Sequence, residues 1–142
     1  MAAAIVQAAS GSAPAGKIGT FYNYCAATAG TYCYASGSGT GNASEDICPK
    51  GWRMPTGGSS GEYQALYGAY SSNAANFMAA LVTPLSGYFN GSANFQGSYV
   101  YFWSSTRYDG SGMHYLLVSS SGVDPARISS RYGGYSVRCV AQ

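Results

Sequence analysis

The sequence predicts an α+β domain in which two short helices precede an antiparallel sheet. Three observations lead there. Helix punctuation is confined to the stretch from Cys48 to Pro84. The runs after Tyr88, "YVYFWSS", "MHYLLVSS" and "YSVRCVAQ", are β-branched and aromatic and are broken by Gly, Asn and Ser. No internal repeat or shift of composition marks a second domain.

Taken in order, residues 1–17 are small and apolar, with neither a charged start nor a run of bilayer length, and are expected to form a flexible amino-terminal segment. Residues 18–142 then make one domain. "IGTFYNYC", Ile18 to Cys25, is expected as a first strand near the amino end. "YASGSGTGNASED", Tyr34 to Asp46, has little to bury and reads as an exposed loop. Its GSGTGN resembles part of a phosphate loop, but no Lys-Ser/Thr follows.

Pro55 and Gly57-Gly58 precede a helix from about Gly61 to Tyr70, with Ser59-x-x-Glu62 as a capping box at its start. Asn73 caps a second helix through "AANFMAAL", where Phe77, Met78 and Leu81 recur at helical spacing and Pro84 blocks extension. Asp109-Gly110 predicts a hairpin between the first two later strands, and Val123-Asp124-Pro125 a turn after the second.

Charged residues are only 8% of the chain and the net charge is +2, so no basic stripe awaits a phosphate backbone and no nucleic-acid partner is expected. Twenty glycines and fourteen tyrosines would suit either low complexity or a loop-rich, aromatic-packed fold, and the strand runs and cysteines favour the fold. Cys25, Cys33, Cys48 and Cys139 are even in number, contain no CxxC, and lie far from the single histidine, His114, which argues against a zinc site. They read as two disulfides, Cys25 with Cys33 and Cys48 with Cys139, and hence as an extracellular or cell-surface protein. Four reduced, buried thiols are the alternative. No membrane span is expected, and the sequons at Asn42 and Asn90 fit exposed loops.

"ICPKGWRMPT", "YFWSST" and "GGYSVRCV", in this order and with two helices between the first and the second, resemble the Fibrobacter-type major paralogous domain over roughly Gly19 to Val140. The resemblance implies a C-type lectin-like fold with adjacent terminal strands. Trp52 and Trp103 are expected as core anchors.

Arg107 to Tyr135, within a variable region of about residues 103–140, resembles the region of lectin-like proteins that retroelements diversify. There a reverse transcriptase errs at template adenines, so Asn codons become many residues but never Lys, Glu, Gln, Trp or Met. The stretch holds no Lys, Glu, Gln or Trp, and only Met113 breaks the pattern. The resemblance makes Trp103, Ser104, Ser105, Leu116, Val123, Pro125, Arg131 and Ser136 to Val140 framework. It leaves Arg107, Tyr108, Asp109, His114, Tyr115, Leu117, Ser119, Gly122, Asp124, Arg127, Ile128, Ser129, Ser130, Tyr132 and Tyr135 as a ligand-binding face.

Side-chain chemistry suits that role. Tyr offers large amphipathic contact area at low entropy cost, and Ser and Gly adapt around it. Arg107 and Arg127 can anchor a partner, while Asp109 and Asp124 supply complementary charge. The expected function is non-enzymatic recognition of a protein or cell-surface ligand by a monomeric domain, without cofactor or metal. An adhesive or structural subunit is the second reading. His114 has no evident nucleophile or orienting carboxylate in sequence, and the Glu-Pro-Asn, Gln-Pro-Asp and Trp-Asn-Asp motifs of calcium-dependent lectins are absent. The paired catalytic cysteines of formylglycine-generating enzymes, which share a related fold, have no counterpart once both disulfides are assigned.

Overall fold

A computed structural model describes residues 6–7, 20–33, 40–81 and 83–142. The flexible character expected of residues 1–17 falls largely outside these, as does part of the loop expected from Tyr34. Strand β1 (Val6–Gln7) pairs antiparallel with β2 (Thr20–Phe21). The expected strand "IGTFYNYC" does not continue to Cys25. Asn23 Oδ1 accepts from Ala26 N at 2.8 Å and starts helix α1 (Tyr24–Ala27), because a capped turn satisfies amides that a strand without a neighbour would leave open. Helices therefore number three among the described residues, not two.

Within the expected exposed loop, β3 (Gly41–Asn42) joins the edge of the main sheet. Next comes β4 (Trp52–Arg53) and then α2 (Glu62–Ala69), whose predicted capping box is not formed. Gly61 is the N-cap and makes no side-chain bond. Thr56 does that work from six residues upstream: its Oγ1 accepts from Glu62 N at 2.9 Å while the Glu62 carboxylate accepts from Thr56 N at 2.9 Å. The same carboxylate takes both guanidinium nitrogens of Arg53 at 2.6 Å, which draws it away from Ser59. Helix α3 (Ala74–Leu81) is capped as expected, Asn73 Oδ1 accepting from Asn76 N at 3.0 Å.

The short pair β5 (Tyr88–Phe89) and β6 (Ala93–Asn94) leads into the main sheet, built on β7 (Tyr99–Arg107), β8 (Gly112–Ser119) and β9 (Gly122–Ser130). These three are antiparallel neighbours. Strand β10 (Ser136–Val137) lies parallel to β7, a departure from an all-antiparallel sheet. "YSVRCVAQ" is not one strand. Cys139, bonded to Cys48, leads the chain out of the sheet, and β11 (Val140–Ala141) pairs with β4 instead. Both predicted disulfides, Cys25–Cys33 and Cys48–Cys139, are present. Backbone bonds between Tyr22 and Tyr135, 2.8 and 3.0 Å, set the amino-terminal segment beside the carboxy-terminal one.

Strand alternation sorts β7 into two faces. Val100 and Phe102, with Leu116 and Val118 of β8, pack under α2 and α3 against Tyr63 and Phe77. Trp103, with Met113 and Tyr115, packs on the other side against Tyr24, Met54 and Tyr135. Trp103 is fully buried, as expected, and its Nε1 donates to Tyr22 O at 2.7 Å. Trp52 is not a core anchor. It stays 49% exposed because β4 is a two-residue strand paired, among the described residues, with the equally short β11.

Candidate ligand-binding face

The stretch from Arg107 to Tyr135 folds as the end of β7, the hairpin β8–β9 and a closing loop. Asp109 makes the first turn. Its Oδ1 accepts from Ser111 N and Gly112 N at 2.7 and 2.6 Å, and those amide bonds, Gly112's above all, hold its carboxyl below the usual range. The second turn is at Ser120-Ser121, where Ser119 Oγ accepts from Ser121 N and Gly122 N. Val123-Asp124-Pro125 is therefore not a turn. Between Tyr115↔Arg127 and Leu117↔Asp124 the β9 side advances three residues and the β8 side two, so Pro125 and Ala126 form a bulge. Pro is tolerated there because the bulge needs one donor fewer.

Residues opposite one another in a ladder share a face. Tyr115 lies opposite Arg127 and Met113 opposite Ser129, on the side of Trp103. His114 lies opposite Ile128 on the reverse side, where it packs against Gly57 and Gly58. The expected binding residues are thus divided between two surfaces. Tyr108 sits edge-on to His114 at 5.5 Å and is 49% exposed, so Tyr108, His114 and Ile128 form one rim. Leu117, Asp124, Arg127 and Ser129 belong to the other, where Arg127 Nε meets Asp124 Oδ2 at 2.9 Å and is held more strongly protonated by that bond.

Several expected contact residues are buried instead. Tyr115 and Tyr135 sit in the aromatic core with Trp103, and burial raises the pKa of both phenols, that of Tyr135 to about 12. Ser119 is buried by its turn bonds. Arg107 is half-buried, its guanidinium 4.7 Å over the Tyr32 ring. The expected framework residues Trp103, Ser104, Ser105, Leu116, Pro125, Arg131 and Ser136 are all buried, whereas Val123, Val137, Arg138, Cys139 and Val140 are only partly so.

Beyond β9 the loop from Arg131 to Tyr135 raises Tyr132, 79% exposed, beside a groove of about 410 Å³. Its walls come from both sides of the expected boundary. Ser129, Ser130 and Tyr132 belong to the stretch resembling a variable region, whereas Tyr88, Asn90, Phe95 and Tyr101 do not. Tyr135, its hydroxyl donating to Ser129 Oγ at 2.9 Å, borders it at depth. Tyr101 alternates with buried positions in β7 and was open to detection on that ground. Phe95 carried no periodic signal, since its exposure comes from a left-handed backbone, φ 56°, in an irregular loop.

A larger recess, about 680 Å³, surrounds Trp52 and is lined by Arg53, Glu62, Asp46 and Lys50. Three of those charged groups are occupied internally: Arg53 with Glu62, and Asp46 with Cys48 N and Met54 N. Among the described residues, no group of three or more His, Cys, Asp or Glu side chains is placed to hold a metal ion, and no helix is long and apolar enough to cross a membrane. No family model, curated protein or solved structure matches the chain.

Proposed function

We propose that the chain is a non-enzymatic binding module of C-type lectin-like fold, displayed outside the cytoplasm, whose β8–β9 hairpin and following loop form an exchangeable face for a protein or cell-surface ligand. One observation carries the reading: exposed and buried positions interleave along this stretch. Tyr108, Arg127, Ile128, Ser130 and Tyr132 are exposed, while Leu116, Pro125, Arg131 and Ser136 between and beyond them are buried. A face built so can change its outer side chains at little cost to the scaffold beneath. The two disulfides support an oxidising location. The adhesive or structural reading would require the same side chains to be constant.

The gene decides between them. Near-copies of the stretch in the same locus should differ from it at template adenines, and differences scattered over the whole chain would remove the retroelement from the reading. At the protein level, a displayed library randomised only at Tyr108 and Ile128, which share one rim, should yield binders to purified test proteins without loss of melting temperature. A library that unfolds, or from which no binder arises, sinks the proposal.

A further inference from the structure

The groove beside Tyr132 has properties that single out one kind of partner. None of its lining side chains is a carboxylate, ammonium or guanidinium, so a charged ligand would find no counter-charge there. Five aromatic rings contribute, and their mutual geometry is ridged rather than flat. Tyr88 meets Tyr101 at 60° and Tyr135 at 89°, with centroids 5.0 and 6.1 Å apart. Tyr101 and Tyr135 tilt by only 34°, so the rings pack against one another into a ridged apolar wall on which a compact aliphatic ring can rest.

Phe95 is the second observation. It holds φ 56° while 56% exposed, an uncommon conformation for a bulky residue, and the surroundings enforce it. Its carbonyl accepts from Ser98 N and Tyr99 N at 3.1 Å each, and Gly97 N donates to Leu85 O at 2.7 Å. Gly87 has no room for a Cβ because Gln96 N and the Asn94 carbonyl stand against it. The loop is thus locked in a shape that keeps an apolar ring at the rim, stacked at 26° on Tyr88.

Hydrogen-bonding capacity completes the picture. The Tyr135 hydroxyl is committed to Ser129, which leaves the Asn90 amide and the hydroxyls of Tyr88, Tyr101 and Tyr132 as donors around the groove. A ligand complementary to a neutral, ring-walled groove and its donors is an extended chain rich in ring side chains and unpaired carbonyls. A polyproline II helix is that chain: it has no internal hydrogen bonds, and proline contributes an acceptor without a donor. Its preformed shape also loses little entropy on docking.

Resting on the reading that this side of the molecule binds a partner, we infer that the groove between the Tyr88–Phe95 wall and Tyr132 takes a proline-rich segment of a partner protein in the polyproline II conformation. Tyr88, Asn90, Phe95 and Tyr101 lie outside the stretch that resembles a variable region, so they form a constant wall. Ser129, Ser130 and Tyr132 form an exchangeable one. Partners of different variants then share proline-rich character and differ in the residues flanking it.

The probe is decaproline, titrated into the intact, disulfide-bonded chain and followed by chemical-shift perturbation. A Gly/Ser peptide of equal length and a neutral oligosaccharide are run beside it. Saturable shifts at Tyr88, Phe95, Tyr101 and Tyr132 with decaproline alone are expected. Tyr132→Ala and Asn90→Ala should each weaken binding about tenfold with the melting temperature retained. Phe95→Gly, which relaxes the backbone while deleting the ring, should weaken it further. Absence of saturation with decaproline, equal response to the Gly/Ser peptide, preference for the oligosaccharide, or binding indifferent to all three variants overturns the inference. If decaproline fails while the library randomised at Tyr108 and Ile128 still yields binders, only this inference falls, because those positions lie outside the groove.

Discussion

Tyr135 lies 4.2 Å, centroid to centroid, from Trp103, and the two rings are clamped by one backbone connection: Tyr22 exchanges hydrogen bonds with Tyr135 and its carbonyl also accepts from Trp103 Nε1. The aromatic core and the junction of the two chain ends are therefore the same place. Tyr135 is only 5% exposed, although it stands in the same stretch as Tyr108 and Tyr132, which reach solvent. Tyr135→Ala should cost about 3 to 5 kcal/mol in urea unfolding, whereas Tyr132→Ala should stay within about 0.5 kcal/mol. Similar losses for both would mean that the two tyrosines are not divided between core and surface.

Acid should act through Glu62. Hydrogen bonds from Arg53 hold its carboxyl at about 2, against the opposing effect of partial burial, with Thr56 N assisting, where 4.5 is its unperturbed value. A depressed folded-state pKa contributes stability that is full above about 4.5 and is lost as pH falls towards 2. Both side chains are more than a third exposed, so solvent screening limits the contribution to about 1 kcal/mol. Glu62→Gln should lower stability by about that amount at pH 7 and flatten the stability profile between pH 4.5 and 2. A profile unchanged by the substitution would assign that acid sensitivity to other carboxylates.

The two disulfides should differ in weight. Cys48–Cys139 closes 91 residues and Cys25–Cys33 closes 8. By chain entropy the first contributes about 4 to 5 kcal/mol and the second somewhat under 3. Paired Cys→Ala variants compared by thermal unfolding should keep that order. The reverse order would show that the short bridge does more than restrict the unfolded chain.

Two glycines should respond in opposite directions. A Cβ at Gly57 would fall on the Ser104 side chain and 2.8 Å from His114 Cβ, so Gly57→Ala should destabilise by about 1 to 3 kcal/mol through displacement of β7 against β8. Gly68 lies within α2, exposed and with open space around its Cα, so Gly68→Ala should stabilise by about 0.5 to 1 kcal/mol. Circular-dichroism melts of the two variants read both signs.

Local signals identified much of this molecule. Asn73 capped its helix, Asp109 formed its turn, and the cysteines paired as read, because each feature depends on neighbours in sequence or on the parity of a small set. Where a distant group competed, local signals misled. Arg53 and Thr56 claimed Glu62 from Ser59, and Cys48 drew Cys139 out of what reads as one continuous strand. Val123-Asp124-Pro125 has the composition of a turn, yet the ladder with β8 absorbs it as a bulge.

The candidate face was legible as a stretch and not as a surface. Its resemblance to a diversified region marks out Arg107 to Tyr135, and its lack of Lys, Glu, Gln and Trp agrees with that. Which of its tyrosines are core was settled by position: Tyr115 opposite Arg127 in the ladder, Tyr135 bonded to Tyr22, Tyr132 bonded to neither. By itself the sequence determined an α+β chain with two disulfides, two of its three described helices and an abundance of tyrosine spread evenly over both halves. Only the tertiary structure decided that Trp52 is exposed, that the expected face is split across two sides of one sheet, and that Phe95 and Tyr88 from an earlier loop wall a groove with Tyr132. The physical reason is that strand pairing and side-chain burial depend on which distant segments meet, and a linear pattern records the local preference of each segment without its partner.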